Sequence, residues 1–251
     1  MNELEKKEIT EHLDELRRRL MIVIYFFAGA MLVGFFLSKP LIYQVQEAPW
    51  TESIQMHAFQ VTDPLKIYLM VIMIIGFVIV LPVILYQIWA FVSPGLYSNE
   101  RKLTLSYIPI VMLLMLLGMA FSYFILVPYI IQFTFELSED MGIETTIGIN
   151  QYFGFLFRTV LPFGLIFQMP ILVLFLTQLG LLTPMFLKKN RKYAYFILLV
   201  VAALIAPPDL MTHIMLTIPM IVLYEISIYI SKIGYRRHLK AEQKAIEESL
   251  D

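Results

Sequence analysis

Six long apolar runs dominate this sequence and restrict the folds open to it. Each is too apolar for a helix that shows one face to water, and backbone polar groups cannot go unpaired in lipid, so each is predicted to be a membrane-spanning helix. The runs lie at about 20–38, 64–92, 103–127, 152–180, 193–206 and 211–231. We predict an all-α membrane protein, one integral domain over 1–251 with six transmembrane helices.

Composition agrees with a membrane protein. The chain is 59% hydrophobic and 16% charged, whereas a soluble domain is about half apolar and about a quarter charged. The absence of cysteine excludes disulfides, thiolate metal sites and a cysteine nucleophile. The first nineteen residues carry charges of both signs and no small-residue cleavage site follows. We therefore expect no removable signal peptide and a permanent first span.

Lysine and arginine predict the orientation. Sixteen lie in the segments 1–19, 93–102, 181–192 and 232–251, whereas the opposite loops at 39–63, 128–151 and 207–210 hold only Lys39. Positive residues are retained on the cytoplasmic side. We expect both termini in the cytoplasm, and localisation in a bacterial cytoplasmic membrane follows from the resemblance described below.

The fifth and sixth spans are predicted to be short. The run 193–206 has fourteen residues, which give about 21 Å of helix against about 30 Å of hydrocarbon. Pro207 and Pro208 oppose its extension, and only eleven residues separate His213 from Glu225 in the last run. Either the other helices bury these two spans or the bilayer thins around them. We favour thinning beside a binding surface.

Polar residues lie inside several of the spans. Gln168, near the middle of the fourth run, has no route to an interface, so either a polar cavity or an interhelical hydrogen bond is expected there. Gln87, Arg158 and Glu225 lie nearer the ends of their runs, and for Arg158 and Glu225 an interhelical bond or snorkelling is the alternative to a polar cavity. Prolines also interrupt the spans and are expected to bend them, which favours a concave wall over a tight bundle. These prolines are Pro82, Pro109, Pro162, Pro170 and Pro219.

Catalytic motifs are absent from the sequence. It has no HExxH, GxSxG or P-loop, and its four histidines lack metal-ligand spacing. These absences argue against a hydrolase, an ATP-driven pump, a metal site and a cofactor. One alternative is a secondary transporter that moves a small polar solute past Arg158, Gln168 and Glu225, although the two halves of the chain show no repeat.

The segment 9–20 reads ITEHLDELRRRL and predicts an amphipathic helix on the cytoplasmic surface, because its apolar residues recur at spacings of 4, 3 and 4. It contains Glu15, and the following cytoplasmic loop contains Glu100. Two carboxylates on a basic face could bind a guanidinium pair through charge-assisted bonds. Alternatively, each carboxylate pairs with a neighbouring Arg or Lys.

Six ordered segments resemble the TatC family, the multi-span subunit of the twin-arginine protein translocase, and most closely its members from Gram-positive bacteria. They cover essentially the whole chain. They are HLDELRRRL at 12–20, LPVILYQIWAFVSPGLYSNERK at 81–102, GMAFSYF at 118–124, LPFGLIFQMP at 161–170, APPD at 206–209 and IPMIVLYEI at 218–226.

The resemblance implies a receptor without enzymatic activity. The family exports folded precursor proteins whose signal peptides carry two consecutive arginines, and it uses the proton-motive force. Glu15 and Glu100 match the acidic positions that contact these arginines. Neighbouring positions of the same cytoplasmic surface are matched by Arg17, Phe91, Pro94, Tyr97 and Arg101.

The resemblance also implies a fold and partners. The family fold is a cupped hand with a concave wall and short fifth and sixth helices, along which single-span A-type and, where one exists, B-type subunits dock. Other copies of the chain and the lipid bilayer are further partners, and nucleic acid is not. Gln168 stands in the intramembrane groove where many members have Glu. His213 and Ala206 match partner-contact positions, and Pro49 and Asp209 match positions important for a working translocase.

Overall fold

The computed structural model describes residues 3–51, 56–92, 107–205 and 210–248, and within these ranges the chain is almost entirely helical. The helices are α1 (Glu3–Gln46), α2 (Asp63–Val92), α3 (Tyr107–Phe121), α4 (Val127–Asp140), α5 (Ile149–Ile166), α6 (Met169–Gln178), α7 (Pro184–Lys189), α8 (Arg191–Ile205) and α9 (Leu210–Glu248). Two short strands, β1 (Met56–His57) and β2 (Ile147–Gly148), pair in parallel.

Five helical stretches in the described part are long and apolar enough to cross a membrane. They are Leu13–Gln46, Asp63–Ile88, Ile108–Asp140, Ile149–Gln178 and Leu210–Arg236. They correspond to the first, second, third, fourth and sixth apolar runs. The fifth run forms α8, whose fifteen residues give about 22 Å of helix, so the prediction of a short fifth helix is confirmed.

Three predicted boundaries differ from the structure. The segment 9–20 is continuous with the first span in α1, since no helix-breaking residue separates them. The third span was predicted to end at 127, but α4 continues it to Asp140. The sixth helix is not short, because α9 has 39 residues. The tail of α9 is rich in Ala, Glu, Lys and Gln, which favour helix even without apolar burial.

The structure divides into two compact units, residues 1–112 with 145–153 and residues 113–144 with 154–251. In the first unit, α1 packs along α2 through small residues. Ala30 is 5% exposed, and a Cβ added at Gly34 would lie 2.8 Å from the Ile72 carbonyl oxygen. Small residues four apart let two backbones approach closely in membranes.

The second unit holds a core centred on α9. Its fully buried side chains include Phe163, Leu216 and Met220, and α6, α7 and α8 all contact α9. The approach of α9 to α6 depends on Gly234, where an added Cβ would lie 3.0 Å from Leu174 Cδ1. Since lipid offers little hydrophobic drive for helix association, close packing of this kind supplies much of the stability.

Two spans are irregular where the sequence places proline. A π-helical turn, Ser122–Leu126, separates α3 from α4 just before Pro128. The fourth span breaks at residues 167–168, and Pro170 lies in the first turn of α6. Proline has no N–H and its ring clashes with the carbonyl four residues earlier, so the helix must adjust there. Pro82, Pro162 and Pro219 instead lie inside unbroken helices.

Candidate functional site

Glu15 lies near the start of the part of α1 whose side chains the structure describes. It is paired with a residue of the same helix. Arg19 donates to Glu15 Oε1 from Nε at 3.0 Å and from Nη2 at 2.5 Å. The Glu15 side chain is 35% exposed and the Arg19 side chain is 22% exposed. A Glu four residues before an Arg is the favourable orientation for such a helical pair. The alternative in which Glu15 binds a neighbouring arginine is therefore present in the structure.

Arg19 also joins α1 to the C-terminal end of α2. Its Nη1 donates to Gln87 Oε1 at 3.2 Å and its Nη2 donates to the Ala90 carbonyl oxygen at 3.0 Å. This gives the predicted polar residue Gln87 an interhelical partner. Arg19 was not among the predicted site residues, although its spacing of four from Glu15 is a signal that could have identified it.

The surface beside Glu15 is basic and open. A groove of about 660 Å³ runs along this part of α1, and the side chains of Arg17 and Arg18 are exposed. Its described lining residues are Asp14, Arg17, Arg18, Met21, Ile22 and Tyr25.

The predicted site is described in part. Phe91 is partly buried at the end of α2, next to the Ala90 carbonyl that Arg19 binds. Arg19 therefore links Glu15 to the backbone immediately before Phe91. Four of the predicted residues lie outside the described ranges: Glu100, Pro94, Tyr97 and Arg101.

Pro49 begins a short 3-10 turn, Pro49–Thr51, after α1. The next residue, Trp50, donates from Nε1 to Tyr152 Oη at 3.3 Å, and the pairing of Met56 with Ile147 joins the same two loops. Pro49 therefore starts the turn that aims Trp50 at α5. Asp209 and Ala206 lie outside the described residues.

Gln168 lies at the break between α5 and α6 and is 9% exposed. Its Nε2 donates to the Gly164 carbonyl oxygen at 3.1 Å, and its Oε1 is buried without a hydrogen-bond partner. A buried acceptor of this kind is costly unless a donor reaches it. The expected polar group in the middle of the fourth span is thus present with unused acceptor capacity.

The polar groups near the ends of α8 and α9 bind one another. Glu225 accepts from Arg191 Nη2 and from Tyr195 Oη, both at 2.6 Å, and His213 Nε2 donates to the Leu199 carbonyl oxygen at 2.8 Å. Glu225 therefore forms the interhelical bonds that were one of the alternatives predicted for it. His213 is hydrogen-bonded to the backbone of α8. The Arg158 side chain is exposed.

Glu225→Ala is expected to lower the melting temperature by about 4–8 °C. Removal of the carboxylate leaves Arg191 and Tyr195 without their acceptor, at a cost of about 2 kcal/mol. Thermal unfolding of the purified chain measures this. Tyr195→Phe, which removes only one hydroxyl bond, should cost less than half as much. Equal melting temperatures for Glu225→Ala and the parent would refute the structural role.

The site and the fold together define a class. The described residues form a multi-pass α-helical membrane protein, and within them no three His, Asp or Glu side chains come close enough to hold a metal ion. Inside the spans, Glu225 binds Arg191 and Tyr195, whereas the Gln168 Oε1 atom is buried without a hydrogen-bond donor. Such a protein binds or moves other molecules at the membrane.

Comparison with known proteins identifies the family. A family model described as "Sec-independent protein translocase protein (TatC)" matches residues 11–219. "Sec-independent protein translocase protein TatCy" of Bacillus subtilis (strain 168) is 54% identical over 93% of this chain and 92% of its own length. "Sec-independent protein translocase protein TatC" of Halalkalibacterium halodurans is 50% identical over 99% of this chain and 98% of its own length.

Solved structures agree. A crystal structure described as "Twin Arginine Translocase Receptor- TatC" superposes with a TM-score of 0.78 at 34% identity and covers 89% of this chain and 99% of that chain. The chain therefore belongs to the TatC family of Sec-independent protein translocase proteins. It is a multi-pass membrane subunit of a protein translocase that works with other components of that system, not an enzyme.

Proposed function

We propose that this chain is the receptor that binds twin-arginine signal peptides on the cytoplasmic face of the membrane. The observation that carries the proposal is the pairing of Glu15 with a guanidinium on a basic, open surface. Arg19 donates to Glu15 Oε1 from two nitrogens, and an arginine of the signal peptide could donate charge-assisted bonds to the same carboxylate. Further support comes from a family neighbour at 34% identity that is described as a twin-arginine translocase receptor.

Binding then takes the form of an exchange of guanidinium groups. An arginine of the signal peptide replaces Arg19 on Glu15, while the other signal arginine binds Glu100. Arg19 keeps its bonds to Gln87 and the Ala90 carbonyl when it leaves Glu15, so little hydrogen bonding is lost. Lysine carries its charge at one point and lacks the planar set of guanidinium donors, which accounts for a requirement for arginine.

The same proposal includes the topology and the partners. Six spans with both termini in the cytoplasm follow from the distribution of Lys and Arg, with α8 as the short fifth crossing in a locally thinned bilayer. The apolar stretch of the signal peptide then passes Gln168, whose Oε1 can accept a hydrogen bond. Single-span A-type or B-type helices dock near α8 and His213, and further copies of the chain join the complex, which exports folded proteins with the proton-motive force.

Site-specific photocrosslinking tests the receptor role. A photoreactive residue at Leu16, which is 47% exposed and adjacent to Glu15, is expected to crosslink to a radiolabelled twin-arginine precursor. Conversion of both precursor arginines to lysine should abolish the crosslink.

Tyr43 provides the matched control position. It is 62% exposed on the same helix, about 40 Å from Leu16 along the axis, and should give no crosslink. Absence of the Leu16 crosslink, or its persistence with the lysine precursor, would require another receptor surface.

A further inference from the structure

A second groove lies in the unit formed by residues 113–144 and 154–251, away from Glu15 in the sequence. It has a volume of about 430 Å³. One wall comes from α7 and the residues just before it, and the other comes from α9, near the end of its apolar stretch Leu210–Arg236. Its described lining residues are Thr183, Pro184, Met185, Lys188, Lys232 and Tyr235.

Local sequence explains why the groove forms. Gly180 adopts a φ of +73°, which turns the chain at the end of α6, as glycine permits at no steric cost. Thr183 then caps α7, where its Oγ1 accepts from the Phe186 N–H at 3.2 Å. Gly234 brings α9 within contact distance of Leu174 at the same level. The two walls are thus held in place by the backbone.

The groove carries two positive charges from separate elements. Lys188 lies in the last turn of α7 and Lys232 lies on α9, and both side chains are exposed. Lys232 Nζ lies 5.7 Å from the centre of the Tyr229 ring. Among the described residues, no carboxylate lies within ion-pair distance of either lysine. The charge complement of this groove is therefore an anion.

Apolar side chains surround these charges. Leu181 is 69% exposed, Met185 79% and Phe186 55%, and all three lie on or just before α7. A short segment with exposed apolar side chains beside lysines suits the boundary between headgroups and acyl chains. Basic pockets at the cytoplasmic ends of transmembrane helices bind anionic headgroups.

We propose that the groove binds the headgroup of an anionic phospholipid, with its phosphate between Lys188 and Lys232 and its acyl chains along Met185 and Phe186. The proposed function enters only in the choice of leaflet, because the cytoplasmic side of the membrane is where these lysines are expected. A bound lipid would tie α7 to α9 at the base of the short α8.

Lipid titration of the full-length chain tests the site. In delipidated detergent micelles, phosphatidylglycerol is expected to raise the melting temperature by several degrees, whereas phosphatidylcholine and inorganic phosphate should not. The double variant Lys188→Gln with Lys232→Gln should weaken the apparent affinity for phosphatidylglycerol by about 30-fold, since each lysine contributes to attraction of an anionic lipid.

Lys189→Gln with Lys192→Gln is the matched control, because it removes the same charge from exposed residues outside the groove. It should bind phosphatidylglycerol as the parent does. Equal losses in both double variants would show diffuse attraction and overturn the site. A response to inorganic phosphate equal to that of phosphatidylglycerol would overturn the lipid assignment. The Leu16 crosslink involves none of these lysines. A failure of the receptor proposal can therefore be distinguished from a failure of the lipid site.

Discussion

Glu15→Lys is expected to reduce export of a twin-arginine reporter by about 100-fold or more, while the protein still inserts in the membrane. The change replaces the carboxylate that holds a guanidinium with another cation, on a surface that already exposes Arg17 and Arg18. Loss of one partner of a close charge pair costs about 2–5 kcal/mol. Reporter export, normalised to the amount of the variant in membranes, measures the effect.

Arg19→Gln separates signal recognition from simple loss of the internal pair. It breaks the same Glu15–Arg19 contact from the other side but leaves the carboxylate for the signal peptide. Export should therefore persist in Arg19→Gln. Loss of export as severe as in Glu15→Lys would show that the ion pair is structural. Glu139→Lys, a charge reversal at an exposed carboxylate on α4, controls for net charge.

Gly118→Ala is expected to lower the melting temperature by about 4–8 °C, because its packing cost is partly offset by the helix propensity of alanine, about 1 kcal/mol. An added Cβ would lie 2.7 Å from both the Phe163 carbonyl oxygen and Phe167 Cγ, so a backbone atom as well as a ring would have to move. Overpacking of this kind costs about 3 kcal/mol at a site that cannot relax. Thermal unfolding of the purified variant in detergent gives the value.

Gly154→Ala is the matched control in the same unit. It is also a helical glycine, but an added Cβ has nothing within 4 Å. Both variants gain the helix propensity of alanine, about 1 kcal/mol, so the difference between them isolates the packing cost. A melting temperature of Gly118→Ala within 2 °C of Gly154→Ala, roughly the shift from half a kcal/mol, would contradict the close α3–α5 contact.

Much of the fold could be predicted because lipid allows few alternatives. Wherever the structure describes the six apolar runs they are mainly helical, and the fourteen-residue run 193–206 correctly predicted the short α8. The ends of α1, α4 and α9 were predicted less well. Hydropathy marks where a chain leaves the hydrocarbon, whereas helices continue beyond it wherever propensity and neighbours permit.

The candidate site was predictable only in its residue types. The acidic Glu15 and the polar Gln87, Gln168 and Glu225 were all identified from their unusual positions in the sequence. The partners on other helices were not identified, since Arg19 reaches Gln87 across 68 positions and Arg191 reaches Glu225 across 34. Contacts at such separations depend on how whole helices pack, which spacing along one helix does not specify.

The sequence by itself determined that this chain is a multi-span helical membrane protein and, through its ordered motifs, which family it resembles. The reason is that the bilayer forces every backbone group to be paired within its own segment, so local composition is enough. Only the tertiary structure decided that Arg19 reaches Gln87 and Ala90 on α2, that Gln168 keeps an unused acceptor, and that Lys188 and Lys232 share one groove. Each of these depends on side chains and helix ends that meet only after packing.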